Sequence, residues 1–249
     1  MSSIFLARRG ECMAEHPLSK TGEEDVWTVG RLLTWTTEWL GKQKSESPRL
    51  DAEVLLAFVR QCPRILLYTA FDEVVDGECR QRFRELVRRR GQGEPVAYLV
   101  GSKEFFSMSL EVTPATLIPR PETEGLVIRA LDVWKEVFGG KSGMRILDIG
   151  TGSGAIAIAI AVHMKDAVVT ATDISTEALK VAFGNAKKHS LDERIHFVQA
   201  DVLDHQDLIG PWDMILSNPP YVLEEEFNTL PDDVRLYEPR LALVGGTTG

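Results

Sequence analysis

The sequence predicts an α/β protein in which a small bundle of helices precedes a parallel β-sheet covered by helices. Apolar residues recur at helical spacing through residues 26–100, whereas apolar strand patterns alternate with helical patterns from Arg145 onward. Strands that alternate with helices along a chain favour a parallel sheet with helices on its faces. A hydrophobic content of 44% and a charged content of 26% are ordinary for a folded globular chain.

The composition excludes several classes of protein. The chain has 249 residues, enough for one large domain or two small ones, and it has no apolar run near the length of a membrane span. Residues 1–20 lack the long apolar stretch of a secretory signal. The cysteines, Cys12, Cys62 and Cys79, lack metal-ligand spacing, so we expect a cytoplasmic protein without a metal site. The net charge of −9 argues against a general DNA-binding protein.

The sequence pattern of residues 1–100 predicts helices and no strands. Residues 1–25 are polar and without periodicity, which indicates a loose tail. Residues 26–100 then predict a helical domain, since apolar residues such as Leu33 and Leu40 share one helix face. The expected helices are Val26–Lys44, one that begins near Pro48, a short one that begins at Pro63, and Gly77–Arg90.

Residues 101–118 are expected to link the helical domain to the rest of the chain. Partial alternation of apolar residues over Lys103–Val112 predicts a short β-hairpin. The sequence Leu117-Ile-Pro-Arg-Pro-Glu-Thr-Glu124 follows, and its prolines favour an extended entry to a helix. Pro121 can begin that helix, which we expect to run to Phe138.

Residues 119–249 predict the sheet domain. The Ala-Ile repeat within Ser153–Met164 fits a strand as well as a helix, and its alanine content and length favour a helix. Few strands precede Gly249, so we expect a sheet that is incomplete at its C-terminal side, in a truncated domain. The expected strands are Arg145–Ile149, Val168–Asp173, Ile195–Gln199 and Trp212–Ser217, and the second helix is Thr176–His189.

A glycine-rich turn joins the first strand to its helix, in the sequence Ile146-Leu-Asp-Ile-Gly-Thr-Gly-Ser-Gly-Ala155. Glycine permits positive φ and close approach of a ligand, and the helix N-terminus offers unpaired amides. Asp173 ends the next strand, where a carboxylate can accept hydrogen bonds from ribose hydroxyls. The pattern predicts a nucleoside-cofactor site and fits both NAD and S-adenosylmethionine. The predicted cofactor residues are Gly150, Thr151, Gly152, Ser153, Gly154 and Asp173.

Asp201 and Val202 follow the third strand, at the same predicted edge of the sheet. Asp201 can accept a hydrogen bond from the exocyclic amine of an adenine, and Val202 can pack against its ring. An ordinary loop aspartate explains Asp201 equally well.

The sequence Ser217-Asn-Pro-Pro-Tyr221 after the fourth strand is the sharpest chemical signal in the chain. Consecutive prolines lack amide hydrogens and stiffen the loop. The side-chain oxygen of Asn218 and the carbonyl of Pro219 can then accept both hydrogens of one planar NH₂ group, while Tyr221 offers a face for stacking. The loop predicts alkylation of an amide or an exocyclic amine, with Asn218, Pro219 and Tyr221 as catalytic residues and Pro220 as a further substrate-binding residue.

Together these motifs resemble a known family. The glycine turn, Asp173 and Asn218–Tyr221 are similar to those of S-adenosylmethionine-dependent methyltransferases. Their combination with Leu117–Glu124 and with Arg49-Leu-Asp-Ala-Glu-Val-Leu-Leu56 resembles the HemK/PrmC release-factor glutamine methyltransferases.

The resemblance implies a Rossmann-like methyltransferase domain, S-adenosylmethionine as cofactor, and class 1 peptide chain release factors as partners. The substrate it implies is the glutamine of the Gly-Gly-Gln motif, and the helical domain would recognise the release factor. It also implies that Asn218 touches both cofactor and substrate, that Phe105 forms a wall of the site, and that Arg120 and Glu122 lie near it. We expect a monomer that binds neither nucleic acid nor a membrane.

Other functions remain open at this point. A nucleic-acid methyltransferase acting on adenine or cytosine uses a loop of the same chemistry, although the negative net charge and the lack of a target-reading domain argue against it. A non-catalytic fragment that only binds a partner is a second alternative. An NAD-dependent dehydrogenase is a third, and it leaves Asn218–Tyr221 unexplained. A local run of arginines in the fourth helix, most simply a solvated face, consists of Arg80, Arg82, Arg84, Arg88, Arg89 and Arg90.

Overall fold

The computed structural model describes residues 26–201, 208 and 210–247, so the expected tail at residues 1–25 lies outside the described residues. The described chain begins with a bundle of helices. Two of them begin at a residue whose side chain accepts a hydrogen bond from a free backbone amide. Thr28 accepts one from the Arg31 amide at 3.2 Å, and Asp76 accepts one from the Cys79 amide at 2.8 Å. The helices are α1 (Val29–Lys42), α2 (Pro48–Arg60), α3 (Ile65–Thr69), α4 (Gly77–Gly91) and α5 (Val96–Val100).

The bundle confirms the helices expected from the sequence and adds α5. That helix has only five residues and ends at Gly101, whose φ is +70°. Five residues carry too little periodicity to predict a helix by themselves, and α3, of the same length, is expected only because Pro63 marks its start. Leu33, Leu55 and Phe83 are buried in the core of the bundle.

The hairpin consists of β1 (Ser102–Phe105) and β2 (Met108–Glu111), paired antiparallel as predicted. Its turn residues, Phe106 and Ser107, have φ values of +50° and +61°. A two-residue hairpin turn of this kind requires positive φ at both positions. Phe105 and Leu110 lie in the same hydrophobic core as the sheet, so the hairpin packs against the sheet rather than standing apart from it.

The parallel sheet is confirmed, with its strands in the order β5-β4-β3-β6. Residues Ala155 to Ala161 of α7 are all buried, and the helix contacts α6, α8 and β4, which explains why its Ala-Ile repeat shows no polar face. The elements are α6 (Pro121–Glu136), β3 (Arg145–Ile149), α7 (Ala155–His163), β4 (Val168–Asp173), α8 (Thr176–Lys188), β5 (Ile195–Gln199) and β6 (Met214–Ser217).

The described segment after β6 contains short helices that the sequence pattern does not predict. The helix α9 (Asp232–Tyr237) lies between 3₁₀ turns at Phe227–Thr229 and Arg240–Ala242. Val222 then forms an isolated parallel bridge with Val244, which returns the chain to the loop that follows β6.

The domain limits expected at 26–100, 101–118 and 119–249 remain predictions. Among the described residues, no helix combines the length and the apolar character needed to cross a membrane.

Candidate active site

The carboxyl ends of β3, β4 and β6 bring the predicted site residues together. Ile149 of β3 pairs with Thr172 of β4 on one side and with Ser217 of β6 on the other. The Ser217 hydroxyl donates a hydrogen bond to the Ile149 carbonyl at 3.0 Å. Gly150 and Asn218 are the next residues along these two strands, so the glycine turn and the Asn-Pro-Pro-Tyr loop leave the sheet side by side.

All glycines of the turn between β3 and α7 have positive φ, at 71° for Gly150, 56° for Gly152 and 83° for Gly154. A Cβ atom on Gly154 would lie 3.2 Å from the Cβ of Ala182 in α8, so this glycine permits the close packing of α7 and α8. No described atom outside the immediate chain lies within 4 Å of the Cβ positions at Gly150 and Gly152. The backbone at these two glycines is therefore open to a ligand.

Asp173, the predicted ribose acceptor, is fixed between the glycine turn and α8. Its Oδ2 accepts a hydrogen bond from the Gly152 amide at 2.9 Å, and its Oδ1 accepts one from the Ser175 amide at 2.9 Å. A carboxylate oxygen can accept two hydrogen bonds, so each oxygen keeps a lone pair for a ligand hydroxyl.

Asp148 lies beneath the turn and is fully buried. Its Oδ2 accepts a hydrogen bond from the Thr151 hydroxyl at 2.7 Å, whereas its Oδ1 has no partner among the described residues. Burial raises the pKa of this carboxyl to about 6, because loss of water disfavours its charged form more than Thr151 and the Ala157 amide stabilise it. Sequence reasoning assigns Asp148 only a place in the strand, but the structure shows that it supports the turn.

The ends of β4 and β5 offer a surface beside Asp173. Ile174 is 46% exposed although it is apolar, and its carbonyl accepts a hydrogen bond from the Gln199 side chain at 3.2 Å. Asp201 is exposed just beyond β5, and Val202 lies outside the described residues. Sequence reasoning missed Ile174, although an apolar residue directly after a strand-end acid is a signal that could have identified it.

The side chain of Asn218 points towards the first turn of α6. Its Nδ2 donates a hydrogen bond to the Thr123 hydroxyl oxygen at 3.3 Å. In the part of the chain that the structure describes, no hydrogen bond reaches its Oδ1. Pro219 is exposed and Tyr221 is 74% exposed, so the tyrosine ring can stack on a ligand.

Glu238, which follows α9, anchors the chain that leads into α6. One of its carboxylate oxygens accepts a hydrogen bond from the Ile118 amide at 3.1 Å, and the other accepts one from the Arg120 guanidinium at 2.6 Å. Glu238 is only 6% exposed, so these contacts satisfy a buried carboxylate. The sequence motifs include Arg120, but no pattern in the sequence indicates its partner Glu238, which lies 118 residues away.

The hairpin turn is also attached to the first turn of α6. The Phe106 amide donates a hydrogen bond to the Glu124 carboxylate at 2.8 Å. Phe105 is 1% exposed and lies in the hydrophobic core, and its role as a wall of the site stays a prediction. Glu122 is exposed and forms no hydrogen bond or ion pair with any described residue.

Asn185 of α8 connects the hairpin to the glycine turn. Its fully buried side chain accepts a hydrogen bond from the Glu111 amide at 2.7 Å and donates to the carbonyls of Glu111 and Ser153, both at 2.9 Å. The predicted cofactor residue Ser153 is therefore held through its backbone. Sequence reasoning missed Asn185, since nothing distinguishes a buried asparagine within a helical pattern.

The fold and the strand-end site together define a Rossmann-like methyltransferase. The family model described as PrmC N-terminal domain matches residues 31–101, and the methyltransferase small domain matches residues 131–230. The chain is 50% identical to the release factor glutamine methyltransferase of Rhodopirellula baltica, over 93% of this chain and 78% of that protein. It is 43% identical to the one of Chlorobaculum tepidum, over 90% of this chain and 78% of that protein. The chain belongs to the release factor glutamine methyltransferase family.

A similar solved structure is the hMettl16 catalytic domain in complex with the MAT2A 3′UTR hairpin 6. It is 20% identical, with a TM-score of 0.44, over 57% of this chain and 52% of that chain. The family assignment rests on the sequence relatives. Their identity confirms the resemblance inferred from the motifs, and with it an enzyme that uses S-adenosylmethionine. It does not favour the nucleic-acid alternative, and the roles of individual site residues remain predictions.

Proposed function

We propose that this protein transfers the methyl group of S-adenosylmethionine to the side-chain amide nitrogen of the glutamine in the Gly-Gly-Gln motif of class 1 peptide chain release factors. The observation that carries the proposal is the pairing of β3 with β6 up to Ile149 and Ser217. This register places the glycine turn and the Asn-Pro-Pro-Tyr loop next to each other at one edge of the sheet. The relatives named above support the choice of release factors.

The residues at this edge fit the cofactor. The open backbone of Gly150 and Gly152 leaves room for it, and the free lone pairs of Asp173 can accept its ribose hydroxyls. The exposed face of Ile174 can pack against its adenine, with Asp201 beside it. When bound, S-adenosylmethionine supplies a methyl group on a sulfonium, which needs no further activation.

The loop after β6 compensates for the low nucleophilicity of the glutamine amide nitrogen. An amide nitrogen attacks poorly because its lone pair is delocalised into the carbonyl group. The Asn218 Oδ1 and the Pro219 carbonyl each accept one of its hydrogens, which favours electron density on nitrogen and fixes its position. Tyr221 stacks on the amide plane. Transfer would break the S–CH₃ bond of the sulfonium, leaving S-adenosylhomocysteine with the electron pair, and would form an N–CH₃ bond while one amide hydrogen leaves as a proton to solvent. One of the two hydrogen bonds is thereby lost, so the methylated side chain is held less well.

The same pair of acceptors selects against a carboxylate. A glutamate side chain has no hydrogens to donate, so Asn218 Oδ1 and the Pro219 carbonyl would be left unpaired. An unpaired buried acceptor costs about 1–3 kcal/mol. We therefore expect a Gly-Gly-Gln release factor to be methylated in strong preference to its Gly-Gly-Glu variant.

The replacement Asn218→Ala tests the loop. We expect it to lower kcat on a purified release factor by about a hundredfold or more, the scale seen when one positioned hydrogen-bonding group is lost from an active site. Its effect on the Kd of S-adenosylmethionine should be far smaller. Transfer of labelled methyl groups and calorimetry measure the two quantities.

The matched control is Asn228→Ala, which removes an exposed asparagine from the 3₁₀ turn after the loop. It should behave as the unchanged protein. Full activity of Asn218→Ala would refute the role of the loop. A folded, cofactor-binding protein that methylates no release factor would refute the proposed function and favour the non-catalytic alternative.

We propose further that the protein acts in the cytoplasm on translation termination, as a monomer, without binding nucleic acid. The arginine run of α4 supports the last point, because Arg88, Arg89 and Arg90 are each paired with a carboxylate. Such pairing competes with phosphate contacts. Labelled methyl groups recovered in added DNA or RNA, and not in a release factor, would overturn this assignment.

A further inference from the structure

We infer that Glu238 is a positioning residue that keeps the Asn-Pro-Pro-Tyr loop in its place beside the glycine turn. The inference rests on the proposed function, since it concerns the loop that we propose to hold the glutamine amide. Glu238 contacts the chain that leads into α6 and acts on the loop through the segment that follows β6.

Glu238 is the one buried residue in the stretch from Leu223 to Ala242, every residue of which the structure describes. The helix α9 and both 3₁₀ turns of this stretch contain no buried residue, and the side chains of Leu236 and Leu241 are each 58% exposed. Apolar burial therefore contributes little to holding the stretch on the protein. The two hydrogen bonds that the Glu238 carboxylate accepts at the entry to α6 are its buried attachment.

The chain beyond Glu238 returns to the residue that follows the loop. After a 3₁₀ turn, the Leu243 carbonyl accepts a hydrogen bond from the Val222 amide at 3.0 Å. The Gly245 amide donates one to the Val222 carbonyl, also at 3.0 Å. Val222 directly follows Tyr221, so the end of the loop is bonded to a short segment that Glu238 attaches to the rest of the protein.

Both ends of the loop are thereby attached to the start of α6. At the beginning of the loop, the Asn218 side chain contacts Thr123 in the first turn of that helix at 3.3 Å. At the end of the loop, the path through Glu238 leads to Arg120, the residue just before the helix. Loss of the carboxylate should therefore free the end of the loop, and with it the groups that contact the substrate. A misplacement of about 1 Å in such groups can lower a rate about a hundredfold.

The test is Glu238→Gln, which keeps the shape of the side chain, removes the charge and turns an NH₂ group towards one of the two donors. We expect the Val222 and Gly245 amides to exchange with deuterium about ten- to a hundredfold faster in the protein without ligands, the effect of losing one hydrogen bond to a charged group. The Thr151 amide of the glycine turn, bonded to a carbonyl of β4 at 2.8 Å, should exchange within about twofold of its original rate.

Activity supplies the second measurement. Glu238→Gln should lower kcat on a Gly-Gly-Gln release factor by about tenfold or more, while the Kd of S-adenosylmethionine stays within about twofold. The matched control is Glu225→Gln, the same change at an exposed glutamate of the same stretch, which forms no hydrogen bond or ion pair with a described residue. It should match the unchanged protein in exchange and in kcat.

A merely structural role would speed exchange at Thr151 as much as at Val222 and would weaken cofactor binding as well. That result overturns the inference, as does unchanged exchange at Val222, or faster exchange there with an unchanged kcat. If Glu238→Gln does not fold, Arg120→Gln gives the same exchange comparison, because Glu238 then keeps its bond to the Ile118 amide. Exchange is measured without substrate, so a protein that methylates no release factor would refute the proposed function and still show whether Glu238 holds the loop.

Discussion

Replacement of Asp148 by asparagine should change how the stability of the protein depends on pH. The carboxyl is fully buried beneath the glycine turn, with one oxygen bonded to Thr151 and the other without a described partner. Its pKa is raised from 3.8 to about 6, chiefly by burial. Asparagine has nearly the same shape and cannot ionise, so Asp148→Asn removes the titration and keeps an oxygen for Thr151.

The direction in which the free energy of unfolding changes with pH follows from proton binding. Between about pH 4 and pH 6 the folded protein holds a proton on Asp148 that the unfolded chain has released, so the free energy of unfolding falls as the pH rises. The rise of the pKa from 3.8 to about 6 corresponds to about 3 kcal/mol, at about 1.4 kcal/mol for each pH unit. Above about pH 6.5 the decrease in the free energy of unfolding is complete and stays constant.

The assay is urea unfolding of both proteins without cofactor, from about pH 4 to pH 7.5. The difference in unfolding free energy, variant minus unchanged protein, should rise by about 2.5 kcal/mol across this range in favour of Asp148→Asn, because the remainder of the change occurs below pH 4. Any constant cost of the amide in this pocket cancels, because only the change with pH is compared.

The matched control is Asp166→Asn. Asp166 is exposed and, like Asp148, accepts one hydrogen bond from a hydroxyl, that of Ser142 at 2.9 Å. Asp166→Asn thus makes the same replacement at a carboxyl that is bonded to a hydroxyl but lies at the surface. If Asp148→Asn shows a change below about 1 kcal/mol, or one no larger than the control, burial of the Asp148 charge does not dominate its energetics.

Two further replacements test the contacts around the glycine turn. Asp173→Ala should weaken S-adenosylmethionine binding by about ten- to a hundredfold in calorimetry, because hydrogen bonds to a charged acceptor are lost, and an unchanged Kd would remove Asp173 from the site. Asn185→Ala should lower the free energy of unfolding by about 3 kcal/mol in urea, because it leaves the buried groups of Glu111 and Ser153 unpaired. Asn228→Ala is the exposed control for the latter, and equal losses in both would show that the buried contacts carry no special stability.

The fold was largely predictable because its signals are local. The strands β3, β4 and β5 have the bounds expected from their apolar patterns, and α8 ends one residue earlier than expected. Periodicity could not resolve α7, since its buried residues Ala155 to Ala161 leave no polar face, and only alanine content favoured the helix. The short helices α5 and α9 escaped prediction because a few residues show no period.

The site was predictable to the level of strand ends and no further. Parallel strands place their carboxyl ends at one edge, so Gly150, Asp173 and Asn218 could be brought together without coordinates. The contact between Thr123 and Asn218 spans 95 residues, and it depends on how α6 packs beside β6. Glu238 belongs to a stretch without a pattern, so its contact with Arg120 is a product of tertiary structure alone.

The buried amide of Asn185 has a mechanical consequence for how the enzyme works. One side chain clamps both the backbone of β2 and the backbone of the glycine turn. A hairpin that moved away from the sheet would therefore leave the buried Asn185 side chain without its Glu111 partners, while Asn185 would still donate to the Ser153 carbonyl from α8. The hairpin and the glycine turn, where we propose that the methyl donor binds, thus share one buried support on α8.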